Sequence, residues 1–422
     1  MNILILGNGG REHALAWAIK QNPKCDRLIV APGNAGIAQV AECAALDILD
    51  GAAVVDFAAQ NAIDFIIVGP EAPLAAGVAD TCRAAGFSVF GPSAAAAALE
   101  SSKSFTKAIC DACDAPTAAY GHFTHRDDAR DYVQTQGAPI VIKADGLAAG
   151  KGVVVAMTME EALAAIDDMM GGQFGDAGAE VVVEEFMDGE EASFFVLCDG
   201  KTVLPIGTAQ DHKRAYDGDT GPNTGGMGAY TPAPVMTDAV TQKALDQIVR
   251  PTMAAMAARG TPFTGVLFVG LMIKDGQPRL VEYNVRFGDP ECQGLMMRLG
   301  GQVLDLLQAC AEGRLDGEQV HWADDHALTV VMAANGYPGT YEKGTAIHGL
   351  GDLPEDSFHM TFHAGTAESN EGQIIANGGR VLGITARGDT LEQAHARAYA
   401  MVDAIDWPEG FCRRDIGWRA LS

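Results

Sequence analysis

The stretch Ile140–Val155, IVIKADGLAAGKGVVV, decides how the rest of the chain is interpreted. An apolar β-branched run passes into a loop rich in glycine and ends in Val153–Val155, so the pattern predicts two strands joined by a flexible loop. Lys143 in the first strand and Lys151 in the loop are point charges suited to phosphate, and glycines let backbone N–H groups approach an anion. A Walker-type P-loop does not fit, because Gly152 replaces the expected Ser or Thr and a strand follows. The alternative is a tight hairpin with two surface lysines.

Composition limits the classes of protein to consider. With 422 residues, 48% hydrophobic residues and 50 glycines, the chain is globular and long enough for several domains of about 150 residues each. No window reaches the roughly 18 apolar residues of a membrane span, and Met1–Leu6 lacks the basic start of a signal peptide. Nine cysteines without a repeated spacing indicate free thiols in a reducing, cytoplasmic compartment, with Cys110 and Cys113 on one helix. A net charge of −26 argues against nucleic-acid and anionic-membrane partners.

The N-terminal residues predict a phosphate-facing strand, turn and helix. Asn2–Leu6 is an apolar strand, and a glycine-rich turn follows it before an amphipathic helix, whose N-terminus attracts anions. A dinucleotide-binding fold is disfavoured, because Glu12 stands at the third glycine of that fingerprint and Ala31 ends the second strand without an acid. We therefore expect Gly9–Arg11 to bind a smaller phosphorylated ligand.

The next hundred residues alternate between strand and helix patterns. Phe65–Val68 and Ser88–Phe90 are predicted strands, and Val78–Ala85 is a predicted helix between them. Such alternation indicates a doubly wound parallel sheet. Ligands of these sheets bind outside the carboxyl ends of the strands, where Arg11 and Glu71 are expected.

Residues Gly207–Pro234 form the longest region without periodicity. A structureless segment of this length in a compact domain is usually functional or disordered. Asp211–Arg214 and the glycine cluster Gly225–Gly228 favour a substrate-binding loop over a linker.

A polar triplet follows a predicted hairpin, Gly265–Ile273 with Pro278–Tyr283. Strand alternation places Glu282, Asn284 and Arg286 on one face. A carboxylate and a carboxamide two residues apart supply the oxygen ligands that Mg²⁺ prefers beside phosphates. An edge strand with an idle polar face is the alternative.

Taken together, these motifs show that the chain resembles the ATP-grasp superfamily, and within it the phosphoribosylamine–glycine ligase (glycinamide ribonucleotide synthetase) family, over essentially its full length. The segments that carry the resemblance are GNGGREHALAW, VAPGNAG, VGPEAPL, FGP, SSKSFTK, IVIKADGLAAGKGV, EEFMDGEEASF, QDHKRAYDGDTGPNTGGMGAY, EYNVRFGDPE and DIGWRA.

The resemblance implies an α/β fold with an α+β ATP-grasp core. It implies four parts: an N-terminal doubly wound parallel-sheet domain (1–102), a central ATP-grasp domain (103–119 and 192–325), an inserted lid subdomain (120–191) and a C-terminal mixed α/β domain (326–422). The implied reaction joins glycine to 5-phosphoribosylamine with ATP, through glycyl phosphate, in purine biosynthesis. A cytoplasmic monomer that acts on small molecules is expected.

The resemblance also implies which residues form the site. ATP contacts are expected from Lys103, Lys143, Gly150, Lys151, Gly152, Glu184, Glu185, Phe186 and Glu191. Glu282 and Asn284 would hold Mg²⁺ (or Mn²⁺), and Arg286 with Lys143 would act on the transferred phosphoryl group. Substrate contacts are expected from Gly9, Gly10, Arg11, Glu12, Pro70, Glu71, Asp211, Lys213, Arg214, Gly226, Met227 and Asp289.

The sequence departs from the family pattern in two places. Many ATP-grasp enzymes have a further metal-binding acid on the preceding strand, but here that strand reads Val269-Gly270-Leu271-Met272. A second metal would need Asp289, Glu291, water or ATP oxygens. Cys292 stands where Thr is expected, and we interpret it as a packing or redox-sensitive residue rather than a catalytic one.

Three other functions remain as alternatives. The first is an ATP-grasp ligase or carboxylase acting on a different acid and amine. The second is a nicotinamide-dependent oxidoreductase, disfavoured by Glu12 and Ala31. The third is a non-catalytic nucleotide-binding module, disfavoured by the polar triplet and Lys143.

Overall fold

The structure, a computed structural model, describes residues 1–146, 152–173 and 178–421. The N-terminal part consists of β1 (Asn2–Gly7), α1 (Gly10–Lys20), β2 (Arg27–Pro32), β3 (Glu42–Cys43), α2 (Gly51–Gln60), β4 (Phe65–Val68), α3 (Glu71–Ala75), α4 (Val78–Ala84), β5 (Ser88–Phe90) and α5 (Ala94–Ser101). Its five strands pair in parallel in the order β3-β2-β1-β4-β5, which confirms the doubly wound sheet. The strand order reverses between β1 and β4, and the loops that follow these two strands meet there, as expected for a ligand-binding edge.

A small second part of the structure contains both strands of the stretch Ile140–Val155. It follows α6 (Lys103–Cys113) and consists of β6 (Tyr120–Phe123), α7 (Arg126–Gln136), β7 (Ile140–Ala144), β8 (Val153–Ala156), α8 (Met159–Asp168) and β9 (Val181–Glu185). The strands form an antiparallel sheet in the order β6-β9-β7-β8. Ile140 and Ile142 of β7 join α7 and α8 in a small separate core, so alternation turns Val141 and Lys143 to the opposite face. We call this part the lid.

The rest of the chain builds one large sheet. Its elements are β10 (Glu190–Asp199), β11 (Val203–Asp211), β12 (Arg214–Tyr216), β13 (Thr220–Asn223), β14 (Gly228–Thr231), α9 (Asp238–Ala244), α10 (Arg250–Ala258), β15 (Thr264–Lys274), β16 (Gln277–Asn284), α11 (Glu291–Leu299), α12 (Gln302–Ala311), β17 (His326–Ala334), β18 (His359–His363), β19 (Thr366–Glu368), β20 (Ile374–Ala376), β21 (Arg380–Gly388), α13 (Leu391–Ala404), β22 (Gly410–Phe411) and α14 (Trp418–Leu421).

Nine strands of this set are continuous, in the order β16-β15-β10-β11-β14-β17-β21-β18 with β22 beside β17. The pairing of β14 with β17 joins the central part to the C-terminal part. The expected central and C-terminal domains therefore share a sheet, although their positions in the sequence stay predictions as domain boundaries.

The prediction of a structureless segment at Gly207–Pro234 was wrong. The end of β11 and strands β12, β13 and β14 occupy most of it. β14 pairs with β11 on one side and β17 on the other, and β17 begins about a hundred residues later. The pattern was hidden because β12 and β13 are short strands of a local hairpin without apolar alternation, and because β14 is short and pairs with the distant β17.

Three local features concern helices. Helices α9 and α10 form one helical run from Asp238 to Ala258 through a π-helical turn at Leu245–Val249. Ser93 caps α5, because its hydroxyl accepts the N–H of Ala96 at 3.2 Å. Cys110 and Cys113 are free thiols on α6, as expected. No helix in the described part of the chain is long and apolar enough to cross a membrane.

Candidate active site

A cleft of about 500 Å³ lies between the lid and the large sheet, and the N-terminal part closes one end of it. Most of the expected site residues line it, although they come from segments far apart in the chain. Those residues are Arg11, Glu71, Lys103, Lys143, Gly152, Glu184, Glu185, Phe186, Glu191, Asp211, Lys213, Glu282, Asn284, Arg286 and Asp289.

The lid side of the cleft contains a buried group of two lysines and one carboxylate. Glu184 of β9 lies 2.9 Å from Lys143 Nζ of β7 and 3.2 Å from Lys107 Nζ of α6. All three side chains are at most 5% exposed. Lys143 also donates to the carbonyl of Val281 at 3.1 Å, so this ammonium lies between the lid and β16. Burial lowers the pKa of Lys107, which Glu184 only partly offsets.

Lys103 stands at the start of α6, at the mouth of the cleft. Ser102 caps this helix, and the Asp145 carboxylate at the end of β7 accepts the backbone N–H of Ser104 at 2.6 Å. The ammonium of Lys103 donates to the Gly146 carbonyl at 3.4 Å, and burial lowers its pKa. The helix N-terminus and this lysine together present positive charge to the cleft.

Glu282 and Asn284 of β16 offer oxygen atoms on the opposite wall. The Glu282 side chain makes no hydrogen bond or ion pair with another residue in the described part of the chain. Burial would raise its pKa, but Lys213, Lys143, Lys103 and Arg286 outweigh that effect and lower it. Glu282 is therefore a carboxylate, and with the Asn284 carboxamide it fits a hard divalent cation.

The described residues contain no group of three or more His, Cys, Asp or Glu side chains arranged for a metal. A cation at Glu282 would therefore need further ligands, such as phosphate oxygens. The two acids considered for a second metal are otherwise engaged. Asp289 accepts the Arg11 N–H at 3.1 Å and the Gln293 amide at 3.1 Å, and Glu291 accepts the Ser193 hydroxyl at 3.3 Å.

Arg286 connects the wall that carries Glu282 and Asn284 to the N-terminal part. Its guanidinium lies 3.3 Å from Glu71, 3.1 Å from Glu100 and 3.0 Å from the Asn284 side-chain oxygen. Arg11 approaches the same Glu71 carboxylate at 3.6 Å. Burial raises the pKa of Glu71, but these two arginines reverse the shift and lower it. A network of opposite charges thus fixes both arginines at the edge where β1 and β4 end.

The base of the β12–β13 hairpin supplies the remaining charges. Lys213 pairs with Glu191, and Asp211 lies on the same wall near Glu291. Burial, reinforced by Glu291 and Glu191, raises the pKa of Asp211 despite the nearby Lys213. Lys213 has a raised pKa, because the surrounding carboxylates outweigh the effect of burial. This corner is polar and can accommodate a small zwitterion.

Several expected site residues do not line the cleft. Met227 is fully buried in the C-terminal core, and Arg214 donates to the Gly221 carbonyl within its own hairpin. The carboxylate of Glu12 accepts the Gly9 N–H and the Arg11 guanidinium, both at 2.7 Å, so it shapes the turn. Pro70 precedes α3 as its N-cap residue.

Glycines at two expected positions serve close packing. A Cβ on Gly10 would meet the Gln293 amide at 2.4 Å, and one on Gly226 would meet Pro290 at 2.6 Å. Gly150 and Lys151 lie outside the described residues, so their expected roles remain predictions.

The sequence interpretation missed three residues that the structure brings to the cleft. Glu100 is the last residue but one of α5, just before the SSKSFTK motif, and Lys107 is the second lysine of that motif, one helical turn after Lys103. Arg380, at the start of β21, donates to the carbonyls of Gly225 at 2.7 Å and Gly226 at 3.2 Å. Only its position beside a glycine pair, Gly378-Gly379, could have drawn attention to it.

A second polar cleft of about 560 Å³ adjoins the first. Arg11, Asp289 and Arg380 line both, and Asn34 and Thr366 add polar groups on the far side. The two clefts therefore meet at the ends of β1 and β4, where the N-terminal and C-terminal parts face each other.

The arrangement of the two sheets and of the charged residues between them is that of a known group of enzymes. A lid sheet and a large antiparallel sheet enclose a cleft that presents lysines on one side and oxygen ligands on the other, which is the ATP-grasp arrangement. A structure of the biotin carboxylase domain of Hydrogenobacter thermophilus 2-oxoglutarate carboxylase has the same overall fold, with a TM-score of 0.73 at 15% identity over 97% of this chain and 91% of that one.

Family models identify the particular branch of this class. Residues 1–100, 101–292 and 327–419 match the N, ATP-grasp (A) and C domains of phosphoribosylglycinamide synthetase. The phosphoribosylamine–glycine ligases of Agrobacterium fabrum and Escherichia coli K12 are 60% and 54% identical, each over 100% of this chain and 99% of the relative. The structure of the Thermotoga maritima phosphoribosylamine–glycine ligase superposes with a TM-score of 0.87 at 31% identity, over 99% of this chain and 100% of that one. The chain belongs to the phosphoribosylamine–glycine ligase family.

Proposed function

We propose that the protein ligates glycine to 5-phosphoribosylamine with ATP, giving glycinamide ribonucleotide, ADP and phosphate. The observation that carries this proposal is the single cleft in which Lys143, Arg286 and the Glu282–Asn284 pair face one another, in a chain with full-length relatives named for this reaction.

The first step would activate the carboxylate of glycine. One of its oxygens attacks the γ-phosphorus of ATP, the bond to the β,γ-bridging oxygen breaks, and ADP leaves from glycyl phosphate. Phosphoryl transfer needs positioning and charge neutralisation more than a protein nucleophile. Lys103 and Lys143 would neutralise the phosphates, and Arg286 would stabilise the transferred phosphoryl group.

A divalent cation fits the wall opposite the lysines. Glu282 and Asn284 would hold it, because one is a carboxylate without a hydrogen-bonding partner among the described side chains and the other is a carboxamide. When bound, Mg²⁺ or Mn²⁺ would polarise the phosphate oxygens and offset their charge. Glu191 and the segment Glu184–Phe186, which line the cleft, would contact the ribose and the adenine.

The second step would form the amide. The amine of phosphoribosylamine attacks the acyl carbon, the C–O bond to phosphate breaks, and the amine loses a proton. Glycine would lie by Asp211 and Lys213, where a carboxylate can receive its ammonium group. Gly9, Arg11 and Glu71 would position the phosphoribosylamine from the side of the second cleft. The lid would keep water from the acyl phosphate.

An ADP-release assay with Mg²⁺ tests the proposal. ADP should form when glycine and phosphoribosylamine are both present, and it should fall to background when either is omitted. ADP formation that is independent of glycine would refute the proposal. Turnover with another acid or amine, but not with this pair, would favour a different ATP-grasp ligase or carboxylase.

The proposed reaction involves small molecules only. We expect a monomer in the cytoplasm. Nucleic-acid and membrane partners are not expected, because the net charge is −26. Light scattering coupled to gel filtration would check the oligomeric state.

A further inference from the structure

The DIGWRA motif has no role in the cleft described above, yet its first residues make a dense set of polar contacts. They belong to the segment Arg413–Gly417, here called the tail segment. It packs against the β12–β13 hairpin, which projects from the base residues Asp211 and Lys213.

Arg413 is the centre of these contacts. Its side chain is 0% exposed, and burial of a charge costs stability unless the charge is fully paired. Nη1 donates to the Asp219 carboxylate at 2.8 Å and to the Arg214 carbonyl at 3.1 Å. Nε and Nη2 donate to the two oxygens of Asp415 at 2.7 and 2.8 Å. This planar, two-pronged pairing fixes the guanidinium in one orientation.

Further bonds connect the two backbones. The Asp415 carboxylate accepts the N–H of Gly218 at 2.8 Å, and Asp217 accepts the N–H of Arg414 at 2.8 Å. Gly417 donates its N–H to Nε2 of the buried His212 at 2.9 Å. Asp219 itself has a φ of 54°, an uncommon value for a residue with a side chain, so the hairpin tip needs such support.

These contacts lie on both sides of Lys213, the residue whose side chain enters the cleft. Lys213 lies between His212 and Arg214, and the tail segment binds both neighbours. Across the hairpin base, Thr224 donates its N–H and its hydroxyl to the Lys213 carbonyl at 2.8 and 2.9 Å. The Lys213 ammonium then extends to Glu191 on the cleft wall.

We propose that the tail segment is a positioning element for catalysis, in which Arg413 holds the β12–β13 hairpin so that Asp211 and Lys213 face the glycine corner of the cleft. Arg413 acts through the hairpin and does not line the cleft. The inference rests on the proposed function for the identity of the ligand in that corner.

Three variants test the inference in the full-length protein. Arg413→Gln removes the contacts of the Arg413 guanidinium with Asp219, Arg214 and Asp415, here called the clamp. Asp415→Asn weakens the clamp while keeping the shape of the side chain. Arg414→Gln is the matched control, because the Arg414 side chain pairs with Asp403 on the surface instead of the hairpin. The KM for glycine, the KM for ATP and kcat are measured, together with backbone hydrogen exchange of residues 212–224.

The two clamp variants should raise the KM for glycine about five- to tenfold, the size expected for one weakened charged contact, and raise the KM for ATP less. Exchange should accelerate in residues 212–224 but not in the five-stranded sheet. The control should match the wild-type protein in all of these measurements.

Faster exchange of the hairpin with an unchanged KM for glycine in both clamp variants would overturn the inference. Equal acceleration in every sheet would also overturn it, because Arg413 would then act on global stability alone. The proposed function is judged separately, on glycine-dependent ADP release by the wild-type protein, whereas the clamp is judged on ratios between variants and wild type.

Discussion

At the scale of single residues, two glutamates of the cleft have opposite surroundings. Glu184 is enclosed between the ammonium groups of Lys107 and Lys143, so its charge is neutralised by the protein. Glu282 faces the same cleft without a hydrogen-bonding partner among the described residues, so its charge remains available to a ligand. Changes at the two positions should therefore affect different properties of the protein.

Glu184→Gln should destabilise the fold. It leaves two buried lysines without their counter-charge, which typically costs about 3–5 kcal/mol. Urea unfolding followed by circular dichroism measures the change. Glu185→Gln is the control, because its pair with Arg279 is 40% exposed on both sides and should contribute only about 0–1 kcal/mol. Equal losses in the two variants would contradict this assignment.

Glu282→Ala should abolish turnover while leaving the fold intact. Loss of a group that holds the charge-neutralising cation should lower kcat by at least about 100-fold. Steady-state ADP release measures the effect, and the melting temperature reports on the fold. Glu371→Ala, at an exposed turn far along the chain, is the control. Near-normal turnover would remove Glu282 from the metal site.

At the scale of elements, the sequence predicted those strands whose pattern is local. β1, β4, β7 and β16 are apolar or alternating runs bounded by turn residues, and the structure contains all four. Strands β12 and β13 were missed because they are short and lack apolar alternation, and β14 was missed because it is four residues long and pairs with the distant β17. For β14, tertiary pairing determined the strand more than local propensity did.

The lid should become more rigid when nucleotide binds. Its strand β8 contributes Val153 and Val155 to the cleft, whereas its core is small and separate from the main core. Hydrogen exchange with and without MgADP should show at least about fivefold slower exchange in β8, because a ligand stabilises the state that binds it. Strand β2 of the N-terminal sheet serves as the internal reference. An unchanged rate in β8 would contradict its place above the nucleotide.

At the scale of the whole molecule, the sequence predicted which motifs form the cleft but not how they are held in place. Lys143, Glu282 and Arg286 could be named from strand patterns and the family resemblance. The partners that fix them, such as Glu100 and Arg380, lie in other parts of the chain. These residues take up their roles only when the N-terminal and C-terminal parts pack together, and no local sequence pattern predicts that packing.

The contact between those two parts should make stability depend on pH. His13 of α1 accepts the His363 N–H of β18 at 2.9 Å, and both side chains are buried. Burial lowers the pKa of His13 to about 3, with a further contribution from His363, and burial lowers that of His363 to about 4. In the unfolded chain both have a pKa of about 6.5. Between these values the unfolded state binds more protons, so stability is present above about pH 6.5 and is lost as pH falls towards 4.

Urea midpoints measured from pH 7.5 to 4.5 check this expectation. Stability should decline below pH 6.5 by up to about 1.4 kcal/mol per pH unit for each buried histidine. His13→Asn should be less stable at pH 7.5 yet show a shallower decline. A decline as steep as that of the wild-type protein would assign the pH effect to carboxylates instead.

The continuous nine-stranded sheet has a practical consequence for dissecting this enzyme. A cut between the central and C-terminal parts would fall beside β14, whose second neighbour is β17. The shortened protein would expose an unpaired strand edge, which invites pairing with other chains and aggregation. Fragments for functional mapping are therefore better obtained by excising the lid, whose strands hydrogen-bond only among themselves within the described sheets, than by dividing the large sheet.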